Sequence, residues 1–195
     1  MKNLTQLSTP QLLKLFDTLE CPTMAEMDGE FRGQQLRQPG PISTLVSALF
    51  TNNPLMFGKW QSKSFRPTGP DRGRGYNTLR NFGRENIQGP MVTLIAPSRF
   101  DGKPAYQLVY RAFHSVCGFV HMVDEVRRVD EGQYLGIGTV GFSRAQRRVP
   151  LPFMLSGPVA PYKQDVGRER VGFDLASELP GLVDASTLGG AASTR

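Results

Sequence analysis

Between Met91 and Phe142 the chain alternates strand-like stretches with connections too short for anything but hairpins. Met91 to Ala96 and Ala105 to Phe113 flank Asp101-Gly102, the dipeptide best suited to a tight antiparallel turn because both residues tolerate positive φ. Asp130-Glu131-Gly132 links Gly118–Val129 to Gln133–Phe142 in the same way. Consecutive hairpins in chain order make an up-and-down meander. Further strands are expected at Trp60–Arg66, Tyr76–Phe82, Leu151–Leu155 and, as a last strand, Val171–Leu175, with a short strand or turn at Met27–Gly33. The 21 glycines and 15 prolines among 195 residues suit many short strands joined by turns and suit a helix bundle poorly.

Two segments depart from this pattern. Thr9 as N-cap and Pro10 in the first turn introduce Leu12, Leu13, Leu15, Phe16 and Leu19, an apolar stripe at helical spacing that Cys21-Pro22 ends. Ile42–Phe50 carries a second such stripe, between Pro39-Gly40-Pro41 and Asn52-Asn53-Pro54. The whole reads as a mainly β, lipocalin-like up-and-down antiparallel β-barrel. It forms one domain over residues 1–180, with an N-terminal helical segment in 1–53. The tail 181–195, small and polar, is expected to be disordered.

Why a hollow barrel rather than a solid sandwich? Counted by twos, Gly118–Val129 puts Val120, Met122, Asp124, Val126 and Arg128 on one face. The other face takes Phe119, His121, Val123, Glu125, Arg127 and Val129. Neither face is clean. A sandwich strand should bury one apolar face, whereas a barrel holding a ligand tolerates polar groups inside.

Several function classes lose support here. The two cysteines, Cys21 and Cys117, form no CxxC and no disulfide ladder. His114 and His121 lack a third ligand at metal spacing, so no metal and no other cofactor is expected. Gly136–Gly141 spells GxGxxG, but no helix pattern follows it, and in a barrel such glycines relieve crowding. The net charge is +6 and arginine-rich. The arginines are spread out and accompany no nucleic-acid motif, so no nucleic-acid partner is expected, and clustered arginine better suits an anionic ligand end group. Without a signal peptide or a long apolar window, the expectation is a cytoplasmic protein with no membrane role, its oligomeric state open.

Gly58-Lys59-Trp60-Gln61-Ser62-Lys63-Ser64-Phe65 resembles the Gly-x-Trp-x-Gly-Lys-x-Phe element of the GXWXG/DUF4334 family, whose members have lipocalin-like features. Gly58, Trp60, Lys63 and Phe65 match, and Ser62 replaces the second glycine. Val120–Asp130 followed by Tyr134-Leu135-Gly136-Ile137-Gly138 looks like the family's later strand pair. The resemblance covers pieces of residues 55–158 and implies the fold more than an activity. Read physically, Trp60 closes the narrow end of the barrel, with its N–H satisfied, or stacks on a ligand.

Two functions follow. The first is binding of a small hydrophobic or amphipathic molecule, with Trp60, Lys63, Tyr106, Tyr110, Met122, Arg127 and Tyr134 as lining residues. The second is cofactor-free isomerase, cyclase or lyase chemistry with Asp124 or His121 as acid and base, since a carboxylate in an apolar cavity is tuned for proton transfer. For Glu125 and Arg127 the competing reading is a solvent-facing charge.

Overall fold

The computed structural model describes residues 3–53, 58–179 and 182. The tail expected to be disordered lies, residue 182 apart, outside the described residues. Nine strands form one antiparallel sheet: β1 (Gly29–Gln35), β2 (Asn52–Asn53), β3 (Gly58–Pro67), β4 (Gly73–Asn81), β5 (Arg84–Pro97), β6 (Pro104–Val109), β7 (Val123–Asp130), β8 (Gln133–Thr139) and β9 (Leu151–Ala160). The two-residue β2 only flanks β3. The other eight close a barrel in chain order, because β1 pairs with β9 on one edge and with β3 on the other. The expected up-and-down barrel is thus the observed one.

Three strands are shorter at one end than the alternation implied. β6 stops at Val109 and β8 at Thr139, and β7 begins only at Val123. Val116–Phe119 forms a single helical turn, α3, capped by the Ser115 hydroxyl, which accepts from the Gly118 N–H. Val171–Leu175 is not a strand; its end opens a 3-10 turn at Leu175–Ser177.

On β7, Asp124 and Val126 point into the barrel while Val123, Glu125 and Arg127 point out. The outward face is nonetheless buried, and this is why the strand looks mixed in sequence. Helix α1 (Thr9–Phe16) starts one residue earlier than expected, with Ser8 and Gln11 forming a capping box. It lays Leu12 and Phe16 on the outer wall against Ala105, Leu135 and Ile137. Arg127 is sealed beneath it. The guanidinium donates to Phe16 O (2.8 Å), Pro104 O (3.0 Å) and Lys103 O (3.0 Å), makes a bidentate pair with Asp101 (2.5 and 2.7 Å), and lies 4.4 Å from the centre of the Phe16 ring. Farther along, Glu125 accepts from the Arg99 N–H (2.9 Å), and Leu179 packs over Val123. Burial pulls the Arg99 guanidinium below its usual value and pushes the Glu125 carboxyl up.

The two ends of the barrel differ. One is filled by the chain leading into β1: Met24 and Met27 pack onto Phe31, Phe65, Tyr106 and Tyr134. The other receives helix α2 (Pro41–Thr51), α3 and the β8–β9 connection, and stays hollow.

Arg127→Ala should destabilise the fold by about 3–5 kcal/mol, the cost of breaking a buried ion pair from one side, read by urea denaturation. Burial pushes the Asp101 carboxyl up, but the hydrogen bonds from Arg127 and from the Lys103 N–H outweigh it and hold it below the usual value. A carboxyl lowered on folding stabilises above its unfolded pKa, and that contribution is lost as pH falls through the folded one. Stability of the wild type should therefore drop below about pH 4 more steeply than that of Arg127→Ala.

Candidate functional site

The hollow end holds a cavity of about 370 Å³. Its polar floor is assembled by strand register. Lys63 on β3 stands opposite Asn77 on β4, Asp124 on β7 stands opposite Leu108 on β6, and Tyr110 follows β6 directly. The Lys63 Nζ donates to Asn77 Oδ1 (2.9 Å), to the Tyr110 hydroxyl and to Asp124 Oδ2 (2.8 Å). The Tyr110 hydroxyl in turn donates a hydrogen bond to the same carboxylate oxygen (2.9 Å). Asn77 Nδ2 donates to Gly89 O, 3.4 Å away. All three ammonium donors are thus met, as a buried charge requires.

Aromatic rings surround the charge. The Lys63 Nζ lies 5.3 Å from the Trp60 ring, 5.2 Å from Tyr110 and 5.2 Å from Phe153, within cation–π range. Trp60 stands edge-on to Phe153 and donates its indole N–H to Ser62 O (2.9 Å). It does so in the hollow half; the closed end is stoppered by methionines instead. Gly58, with φ +88°, runs so close to β4 that a Cβ there would lie 2.5 Å from Arg80 O, so the glycine before the tryptophan is a backbone requirement. Gly138 does similar work beside the carboxylate: a Cβ there would lie 2.8 Å from Asp124 Oδ1. Above the floor the walls are largely apolar, with Phe50, Leu79, Ile87, Val140 and Leu151, and Cys117 beside them.

Five of the residues proposed from sequence meet here: Trp60, Lys63, Tyr110, Met122 and Asp124. Four do not. Tyr106 and Tyr134 lie in the packed core below, their hydroxyls donating to Thr93 Oγ1 (2.9 Å) and Glu26 Oε1 (3.1 Å). Arg127 is on the outer wall. His121 is not on a strand at all; it follows α3 with φ 54° and pairs outside the barrel with Glu178 (2.8 Å), which also takes Arg111 (2.9 Å). Hence no His121–Asp124 dyad forms. The sequence reading missed Asn77 and Cys117, which only the fold brings to Lys63 and to the cavity wall. Burial, reinforced by the neighbouring Asp124, holds the Tyr110 hydroxyl well above its usual pKa, and burial pushes the Cys117 thiol up to about 12.

No family model and no curated protein matches the sequence. Among solved structures, a protein from Thermomonospora curvata is similar, with TM-score 0.50 and 15% identity over 77% of this chain and 87% of that one. A likeness at that identity speaks for the fold alone.

Because Lys63 and Asp124 neutralise one another inside the barrel, Lys63→Met and Asp124→Leu should each cost about 3–5 kcal/mol, and the double variant far less than their sum. Strictly additive losses in a denaturation cycle would mean that the pair is not coupled.

Proposed function

We propose that the barrel binds a small amphipathic molecule, its apolar body against Phe50, Leu79, Ile87 and Leu151 and its polar end at the Lys63–Tyr110–Asp124 floor. The observation that carries this reading is a polar, hydrogen-bonded cluster at the bottom of an otherwise apolar cavity of about 370 Å³, within the size range of small-molecule sites. The chemistry favours a neutral head. The ammonium is already balanced by the carboxylate, so a second carboxylate would be buried without a counter-charge. No arginine is among the described residues lining the cavity, which removes the support for an arginine-anchored anion. A hydroxyl or amide N–H can instead donate to Asp124 Oδ1, the carboxylate oxygen that neither Lys63 nor Tyr110 engages.

Trp60 is the chain's single tryptophan and it lines the cavity, so its emission reports occupancy. Titration with decanol should shift that emission saturably, and decanoate should bind at least tenfold more weakly. Equal or tighter binding of decanoate would count against the neutral head, and no response to either would count against the reading as a whole.

The thiols provide a second check. Burial pushes Cys21 up to about 11 and Cys117 up to about 12, so both stay protonated at pH 8. Iodoacetamide should modify them more slowly than in the unfolded chain, by about tenfold for Cys21 and more for Cys117. Saturating decanol should slow Cys117 further and leave Cys21 unchanged.

Acid–base catalysis is a second reading, favoured by one detail: Lys63 and Tyr110 both engage Oδ2 of Asp124, so Oδ1 is the oxygen turned away from them. On that reading Asp124 takes a proton from a carbon acid. Incubation with a β,γ-unsaturated cyclic ketone in D₂O should then give deuterium incorporation that Asp124→Asn abolishes.

A further inference from the structure

A soluble barrel gains nothing by leaving large apolar side chains in water unless something covers them. Eight of the eleven exposed large apolar residues among those described sit on the connections at the hollow end. They come from four separate stretches of chain. Ile42, Leu45 and Leu49 line the outer face of α2, Phe82 tips the β4–β5 turn, and Phe119 and Phe142, 5.5 Å apart, belong to the β6–β7 and β8–β9 connections; these six are 43–87% exposed. Spacing of three and four along α2 keeps its three on one stripe. That helix contains no charged residue.

The acids are sorted along the same axis. The connections of the hollow end (36–57, 82–83, 110–122 and 140–150) contain no Asp or Glu in the sequence, while Arg37, Arg144 and Arg148 are exposed within them and Lys59, Arg80 and Arg84 on the adjoining strand ends. Of the acids beside these connections, Glu85, half exposed on β5 opposite Arg80, pairs with Lys163 (3.2 Å), and Glu178, fully buried, with Arg111 (2.9 Å). At the closed end every connection has an acid: Glu26 and Asp28 before β1, Asp71 between β3 and β4, Asp101 between β5 and β6, and Glu131 between β7 and β8.

We propose that the rim of the cavity docks on an anionic lipid bilayer. Apolar side chains of this size enter the boundary between headgroups and acyl chains, and surrounding basic residues are drawn to anionic headgroups. The complement to connections that are apolar and carry only basic residues as exposed charges is an apolar phase behind a negative surface. No helix among the described residues is long and apolar enough to cross a membrane, and the contact is peripheral. Exposed Val116 and His114 line both the rim and the cavity, so the docked orientation points the cavity mouth at the lipid. This departs from the expectation, drawn from sequence, of no membrane partner. The apolar residues are scattered over a hundred positions of chain, and only barrel closure gathers them.

Co-flotation of the full chain with vesicles tests the proposal. Vesicles of phosphatidylcholine with roughly one-third phosphatidylglycerol should bind at least tenfold more protein than pure phosphatidylcholine, and about 0.5 M salt should remove most of the difference. Leu45→Asp/Phe119→Asp should lose binding by tenfold or more, as should Arg144→Glu/Arg148→Glu. Val159→Asp, the same kind of change on an exposed residue at the closed end, should bind as wild type. Circular dichroism and the Trp60 response to decanol confirm that each variant is folded. Indifference to lipid charge, equal loss in Val159→Asp, or a concentration-dependent dimer that hides the rim and binds no vesicle would each overturn it. The decanol titration is independent, so a failure of docking and a failure of cavity binding are told apart.

Discussion

Closure of this barrel hangs on β1. Seven residues must satisfy two edges at once, offering one row of backbone groups to β9 and the other to β3. The strand is fitted for the task on both faces. Phe31 enters the core between Phe65 and Tyr134, with ring centres 5.7 and 5.5 Å away. Glu30 accepts from Ser62 across the seam (2.6 Å), and Gly33 leaves the space that the Trp60 indole fills, since a Cβ there would sit 2.4 Å from its ring. Were the seam to open, two exposed edges would appear and the polar floor would lose the tryptophan wall beside Lys63.

The interior then divides into two regimes. Below Lys63 the barrel is packed with aromatic and methionine side chains; above it, the strands and connections enclose the cavity. Lys63, Asn77, Tyr110 and Asp124 sit at the boundary. A charged group at the border of a packed core tolerates little freedom, because every donor left unmatched is costly. The hydrogen bonds among these four residues fix their mutual geometry, a preorganised polar surface. Preorganisation of that kind would suit the proposed binding, since Asp124 Oδ1 is held in place before a donor arrives.

How much of this could be read from the residues? The meander was legible because turn chemistry is local: Asp101-Gly102 announces its hairpin without help from the rest of the chain. The mixed faces of β7 were legible as a fact but not as a cause. Asp124 is polar because it faces the cavity; Arg127 and Glu125 are polar although they face neither cavity nor solvent. They are covered by α1 and by residues 98–99 and 175–179, which lie far away in sequence, and alternation cannot distinguish a wet outer face from a covered one. His121 was misplaced for a different reason. Val-Cys-Gly-Phe has the apolar content of a strand, and only the cap from Ser115 turns it into a helical turn. The floor itself unites positions 63, 77, 110 and 124, and no periodicity within one element could have linked them.

The methionine stopper at Met24 and Met27 has one more consequence. A barrel open at both ends is a conduit, whereas this one is a cul-de-sac. A ligand bound as proposed would enter through the rim and leave by the same route in reverse, so entry would fix orientation: the end that goes in first would meet Lys63, and the end that trails would stay at the threshold. Exchange of such a ligand would proceed one molecule at a time, since a newcomer could not push the occupant out ahead of it.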